Sequence, residues 1–348
     1  MNAQRDSDSV PVSSWRSARL LVTDEFAAPP VILRVDDSVI GTLGNFSAST
    51  GKVKSKKTFN VCAIVAAAMM GGTVLNYSAS LPPERRRILY VDTEQRRFHC
   101  KRVLCRILRL AGLPIDTHPP LLEFLCLRGY ATKERLRKIE EAIYDLDDLG
   151  LVVIDGIRDL AHDINSPGEA TDLITKLMQW TDERRIHIHT VLHLNKGDDN
   201  TRGHLGTELN NKAETVLQIT KDDFDRDVSS VAAMHIRDRD FEPFAFRINA
   251  DALPEPVKDY QFRPTTAAKS FDYAEVSEAK HREALELLFS EADWISYSSL
   301  IGRLQSSYAA IGHSFGINKA KQLKVFLENK RIIVKEDKFY RYNPDFHY

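Results

Sequence analysis

The chain has 348 residues, 43% of them hydrophobic and 28% charged, with a formal net charge of −1, which suits one large domain and a smaller one. That balance excludes a polybasic nucleic-acid binder, so any DNA contact has to come from local patches. No run reaches the roughly 18–20 apolar residues of a membrane span, and the polar first ten residues lack the core of a secretory signal.

Residues 1–28 are polar without a sustained period and read as an N-terminal arm. Two short β-branched runs follow, V-I-L-R-V at 31–35 and S-V-I-G-T-L at 38–43. An extended G-N-F-S-A-S-T (44–50) then leads to Gly51. F-N-V-C-A-I-V-A-A-A-M-M (59–70) is apolar nearly all round and predicts a buried helix, ended by Gly71-Gly72. R-I-L-Y-V-D-T (87–93) reads as a buried strand, and residues 97–110 as a helix with a basic outer face. A strand at 121–127, a helix over 131–148, the strand L-V-V-I-D (151–155), a helix near 168–184 and a strand at 186–193 continue the alternation. Strand runs at 215–219, 231–236 and 244–248 close it. Strands alternating with helices predict an α/β fold with a mainly parallel sheet covered on both faces, over residues 29–250.

The four cysteines, Cys62, Cys100, Cys105 and Cys126, show no C-x-x-C spacing. They read as reduced structural thiols in a cytoplasmic protein; His99 beside Cys100 suggests a metal, but no second pair of ligands accompanies it.

The stretch G-K-V-K-S-K-K-T (51–58) nearly matches the phosphate-loop pattern G-x-x-x-x-G-K-[ST]. Gly51, Lys57 and Thr58 stand where the pattern requires them, and Lys56 replaces the second glycine. In isolation this is a solvated basic turn. In context it follows an extended segment and opens an apolar helix, so the backbone of Gly51, Lys52, Val53, Lys54, Ser55, Lys56, Lys57, Thr58 and Phe59 is expected to wrap the phosphates of ATP. Lys57 would reach the outer phosphates and Thr58 would hold Mg²⁺. A Lys56 side chain would crowd the phosphate or restrict the turn, or else point to solvent or to a neighbouring subunit.

Three further strands deliver chemistry at their carboxyl ends, where ligands of open α/β sheets sit. Y-V-D-T-E-Q (90–95) presents Glu94, suited to activate a water. L-V-V-I-D presents Asp155, suited to support Mg²⁺. V-L-H-L-N-K-G-D-D-N-T-R-G-H-L-G-T-E-L (191–209) presents His193 before a loop rich in hydrogen-bonding residues. Each alone reads equally as a surface group at a strand end.

This order resembles the RecA-type P-loop ATPase core. The stretches I-D-G-I-R-D-L, D-I-N-S-P-G-E-A-T and H-L-N-K-G-D-D-N-T-R-G-H-L-G-T-E-L-N-N-K-A-E-T-V-L resemble P-loop ATPases of bacterial mobile elements, a group similar to RepA-type hexameric replicative helicases. The resemblance covers residues 29–250. It implies a bacterial ATPase with Glu94 as catalytic base and His193 as γ-phosphate sensor. It implies loops 157–170 and 195–207 facing a channel for single-stranded DNA, with Arg158, Lys196 and Arg202 as phosphate contacts. It also implies a homo-oligomeric, hexameric ring in which a neighbour's basic residue completes the site. Arg237 is the first choice for that residue and Arg239 the second; the other reading pairs them with Asp238 or Asp240 on the surface.

Residues 251–275, with three prolines between 252 and 266, read as a linker. Beyond it come three helices, near 277–290, 298–308 and from Asn318, then a hairpin of 331–336 and 338–342. This is the order of a winged helix-turn-helix domain over 276–348. Between Asn318 and Arg341 eight lysines and arginines stand against three acids. Lys319, Lys321 and Gln322 are candidates for base edges, and Lys338 and Arg341 for phosphates. A protein-binding winged helix with a solvated charged face is the other reading. The sequence therefore points to an ATP-hydrolysing helicase or translocase in mobile-element replication. Its rival is a non-motor ATP-binding regulator that recognises DNA.

Overall fold

In a computed structural model, the structure describes residues 14–195, 201, 203–222, 225–258, 260, 273 and 276–346. They fall into two compact units, residues 1–260 and 261–348.

The first unit opens with strands β1 (Val31–Val35), β2 (Ser38–Thr42) and β3 (Phe46–Gly51), followed by helix α1 (Lys57–Met70). β4 (Thr73–Val74) and β5 (Tyr77–Ala79) come next. Then β6 (Arg87–Asp92), α2 (Arg97–Leu110), β7 (Leu122–Cys126), α3 (Thr132–Asp145), β8 (Leu149–Asp155), α4 (Pro167–Arg184), β9 (His187–His193) and α5 (Gly203–Lys212) alternate. β10 (Thr215–Lys221), β11 (Val228–Ile236), β12 (Phe244–Ile248) and β13 (Pro254–Pro256) complete it.

Nine strands form one sheet in the order β13-β12-β11-β10-β3-β9-β8-β6-β7. The six from β10 to β7 run parallel, while β11, β12 and β13 extend the sheet antiparallel. The first two strand runs do not join it. They form a separate four-stranded antiparallel sheet, β2-β1-β5-β4, against α1.

The parallel strands are apolar on both faces because both are covered. Leu151 and Val153 of β8 point into the core under α1 and α2, and Val152 and Ile154 into the core under α3, α4 and α5. α2 buries Cys100, Val103, Ile107 and Leu108, one stripe of a 3.6-residue period. Ser166 caps α4 by accepting from the Glu169 amide, and Pro167 fits the first helical position. All four cysteines are free thiols.

The second unit contains α6 (Glu278–Phe289), β14 (Ile295–Ser296), α7 (Tyr297–Ala310), α8 (Ile317–Asn329), β15 (Ile333–Glu336) and β16 (Phe339–Tyr342). The strands order as β14-β16-β15, and Asp337 turns the β15–β16 hairpin at φ 53°. Leu285, Leu288, Leu304, Tyr308, Leu323 and Leu327 share its core.

Candidate nucleotide site

Strand register brings the sequence-predicted residues to one level. Gly51 on β3 pairs with His193 on β9, Asp155 on β8 with Val191 on β9, and Asp92 on β6 with Asp155. All lie at the carboxyl ends of parallel strands.

The loop after β3 turns on Gly51. A Cβ there would stand 2.3 Å from the Ile219 carbonyl oxygen and 2.5 Å from Ser55 Oγ, so only glycine fits. Lys56 adopts the left-handed conformation a glycine would supply, with φ 67° and ψ 28°. Its half-buried side chain borders the cavity described below, and its ammonium is held by acceptors of the protein. Nζ donates to Arg226 O at 2.6 Å, with Val228 O and Ser229 Oγ each at 3.4 Å, which ties the loop to the turn between β10 and β11. Burial, then nearby Lys221, lowers its affinity for a proton.

Lys57 is buried and donates to the loop carbonyls of Gly51 (2.8 Å) and Lys52 (2.9 Å). Burial brings its ammonium down to about 8, against the opposing pull of Asp155 and Glu94. The buried Ser55 hydroxyl, in the bend of the loop, has no hydrogen-bond partner among the described residues. An orphaned donor beside a lysine held by weak acceptors is what a phosphate would satisfy.

Thr58 Oγ1 donates to Asp155 Oδ2 at 3.0 Å. Tyr90, which the sequence reading passed over, donates its hydroxyl to the same oxygen at 2.9 Å. Burial, reinforced by the charge of Asp92, raises the Asp155 carboxyl to about 6, while the Tyr90 and Thr58 bonds oppose the rise. A hydroxyl and a carboxylate paired in this way are hard oxygen donors of the kind Mg²⁺ takes.

Glu94 is set by its neighbour Asp92, whose Oδ1 accepts the amides of Glu94 (3.0 Å) and Gln95 (2.7 Å). Glu94 Oε1 lies 3.7 Å from His193 Nε2. The facing imidazole is the main cause holding the Glu94 carboxyl below its ordinary value, against the effect of burial. His193 Nδ1 is buried with no hydrogen-bond partner among the described residues, so the ring has a second polar atom to offer. Residues 54–59, Asp155, Glu94 and His193 line one cavity of 380 Å³, walled by His99, Arg102 and Arg106 of α2. Arg106 lies 3.8 Å over the Phe59 ring.

The AAA domain family matches residues 16–199, a little over half of the chain. The chain belongs to that family. Its large, mostly parallel sheet and the loop geometry above accord with an AAA-domain ATPase. A solved structure of the RadB recombinase aligns with a TM-score of 0.44 and 15% identity, covering 62% of this chain and 91% of that one. No curated protein matches.

The other sequence-predicted residues of the AAA-domain protein lie elsewhere. Arg158 is half-exposed in the 3₁₀ segment Ile157–Leu160, 3.7 Å from Asp159, and its charge reaches Glu94. Lys196 and Arg202 lie outside the described residues. Arg237 follows β11, whose end pairs with Thr215 at the entry of β10, the edge of the sheet opposite the phosphate loop. Its guanidinium donates to Lys212 O at 2.9 Å rather than to an aspartate. Arg239 lies two residues beyond it, between Asp238 and Asp240, which accept from Val39 N and Ser38 Oγ of β2.

In the second unit Lys321, Gln322 and Lys338 are exposed. Lys319 sits 4.9 Å over Tyr273. Arg341 pairs with Glu336 at 2.9 Å. Lys324 is committed to Glu328 and lies over Tyr340, so it does not share an open basic face with Lys321.

Proposed function

We propose that this protein is an ATP-hydrolysing motor acting on single-stranded DNA, a helicase or translocase in mobile-element replication. The observation that carries the reading is the convergence of Lys57, the Thr58–Asp155 pair and the Glu94–His193 pair in one cavity. Lys57 leaves its loop carbonyls to bind the outer phosphates. Mg²⁺, when bound beside Thr58 and Asp155, neutralises phosphate charge. Glu94, kept ionised by His193, orients and deprotonates the attacking water. The free Nδ1 of His193 meets the terminal phosphate and reports its loss to the loop that follows β9.

Arg237 and Arg239, at the remote edge of the sheet, act only on the site of a second copy, so the reading requires a homo-oligomer, and a hexameric ring closes it. Loops 157–170 and 195–207 then line the strand's path, with Arg158, Lys196 and Arg202 on the backbone. The second unit is a winged helix-turn-helix. Lys319, Lys321 and Gln322 near the start of α8 face the major groove, and Lys338 and Arg341 on the hairpin face the backbone.

ATP turnover alone, with single-stranded DNA and with duplex tests the reading. Stimulation by single strands, lost in Lys57→Ala and Glu94→Gln, is expected. Nucleotide binding without turnover in the wild type would replace the motor by a nucleotide-gated DNA regulator.

A further inference from the structure

The notable feature outside the nucleotide cavity is the basic start of α2. Residues 95–110 carry six lysines and arginines and no acid. Arg96 stands at the N-cap position without a capping bond and Arg97 at the first helical position, so both cations sit at the positive end of the helix dipole. The loop after β7 brings Arg128 and Tyr130 beside them. Gln95, Arg96, Arg97, Arg128 and Tyr130 line a cleft of 580 Å³. Arg128 also borders a second cleft of 530 Å³ that reaches Glu94, Arg158 and His193. Arg135 and Arg158 are neutralised there by Asp159. Among the described residues no carboxylate pairs with Arg96, Arg97 or Arg128.

Three guanidiniums without a carboxylate partner, two of them at a helix N-terminus, leave an excess of positive charge that an anion would balance. Their spread along an open cleft suits a chain of phosphates better than one. Aromatic rings accompany them: Phe98, next to Arg97 but outside the cleft lining, is 70% exposed, and Tyr130 lies at the cleft wall with Lys138 Nζ 4.6 Å over its ring, which leaves the opposite face for a base. Cations interleaved with exposed aromatic rings are the recognition chemistry of single-stranded nucleic acid. Arg128 Nη1 also donates to the main-chain oxygen of Glu94 at 3.2 Å, which ties the cleft to the backbone that carries Glu94.

We propose that the cleft of Arg96, Arg97, Arg128 and Tyr130 binds the backbone and bases of single-stranded nucleic acid, and that Arg128 relays its occupancy to Glu94. This rests on the motor reading but adds a contact surface that the loops 157–170 and 195–207 do not include. Arg128 is here a positioning residue for Glu94.

Fluorescence anisotropy of a labelled oligo-dT on the full chain, across a salt series, tests it. Arg97→Ala/Arg128→Ala is expected to weaken binding at least tenfold and to flatten the salt slope by about 1.4, two single-strand phosphate contacts. Arg97→Lys/Arg128→Lys should recover much of the slope, and Arg109→Ala, at the far end of α2, should bind as wild type. A photo-crosslink from 4-thiothymidine in the oligonucleotide to the wild type should map to Phe98 or Tyr130, a readout independent of how the variants fold. A wild type that turns over ATP yet holds no oligonucleotide overturns the single-strand reading and this inference together. A wild type that holds it, with the double alanine variant holding it equally or with crosslinks only elsewhere, overturns this inference alone. Unchanged affinity with an altered assembly mass would make the cleft a subunit contact.

Discussion

Lys56 Nζ lies 2.6 Å from the carbonyl oxygen of Arg226, 170 residues further along the chain. This bond explains how a lysine replaces the second glycine of a phosphate loop. A left-handed backbone costs a non-glycine residue about 1–2 kcal/mol, and the side chain offsets that by satisfying acceptors at the start of β11. Lys56→Gly loses the bond but also the strain, so its stability should stay within about 1 kcal/mol of wild type. Lys56→Ala keeps the strain and loses the bond, and should fall by about 1–3 kcal/mol. Urea unfolding ranks the three; equal midpoints for the alanine and glycine variants would sink the account.

The same residue shows where the sequence stops being legible. The parallel sheet could be read because β6, β8 and β9 are continuous apolar runs between amphipathic helices, and α2 could be bounded by its stripe from Cys100 to Leu108. The separate small sheet could not, since β4 and β5 are two and three residues long and gain their meaning from the pairing of β5 with β1 and of β4 with β5. The direction of β11 and β12 was also hidden, because a buried strand looks alike run either way. Asp155, Glu94 and His193 stood out as strand-end polar residues. Tyr90 did not, since an aromatic inside an apolar strand reads as core until its hydroxyl is seen on Asp155.

Asp155 carries a pH prediction. Burial raises its carboxyl to about 6, so without a cation it is substantially protonated below that pH. A Mg²⁺ held by Thr58 and Asp155, as proposed above, requires the carboxylate and must displace the proton. The Mg²⁺-dependent gain in ATP affinity should therefore shrink as pH falls through about 6 and return above it. Titrating a fluorescent ATP analogue with and without Mg²⁺ from pH 5 to 8 measures this. Asp155→Asn should remove both the gain and its pH dependence; a gain constant with pH in the wild type would exclude a metal role for Asp155.

Gly156 follows Asp155 with φ 103°, and a Cβ there would stand 2.2 Å from Thr93 Oγ1 and 3.0 Å from Glu94 Cγ. The Thr93 hydroxyl donates to Gly156 O at 2.9 Å, clamping β6 to β8 beside Glu94, the base proposed above. Gly156→Ala should thus disturb Glu94 before it disturbs nucleotide binding. We expect ATP affinity within a few-fold of wild type and turnover lower by roughly 10²-fold, the scale of a misplaced catalytic group. Equal losses in affinity and turnover would show that the loop, not Glu94, had moved.

Beneath the phosphate loop two buried histidines make stability itself pH-dependent. Ser47 Oγ lies 2.7 Å from His187 Nε2 and 2.8 Å from His189 Nδ1, and Ser49 Oγ lies 2.8 Å from His189 Nε2. Burial lowers His187 to about 4, and burial with the neighbouring His187 lowers His189 to about 3. In the unfolded chain both protonate near 6.5. Below that pH the unfolded state binds more protons, so stability rises with pH and is lost as pH falls from 6.5 toward 4. Each histidine contributes a slope of up to about 1.4 kcal/mol per pH unit in that window. Asp155, raised to about 6, opposes this slope as pH falls from 6 toward 4, so the expected result of chemical unfolding at pH 7.5, 6, 5 and 4.5 is a His189→Gln slope lower than wild type by up to about 1.4 kcal/mol per pH unit. A variant as acid-sensitive as the wild type would place the effect on other groups.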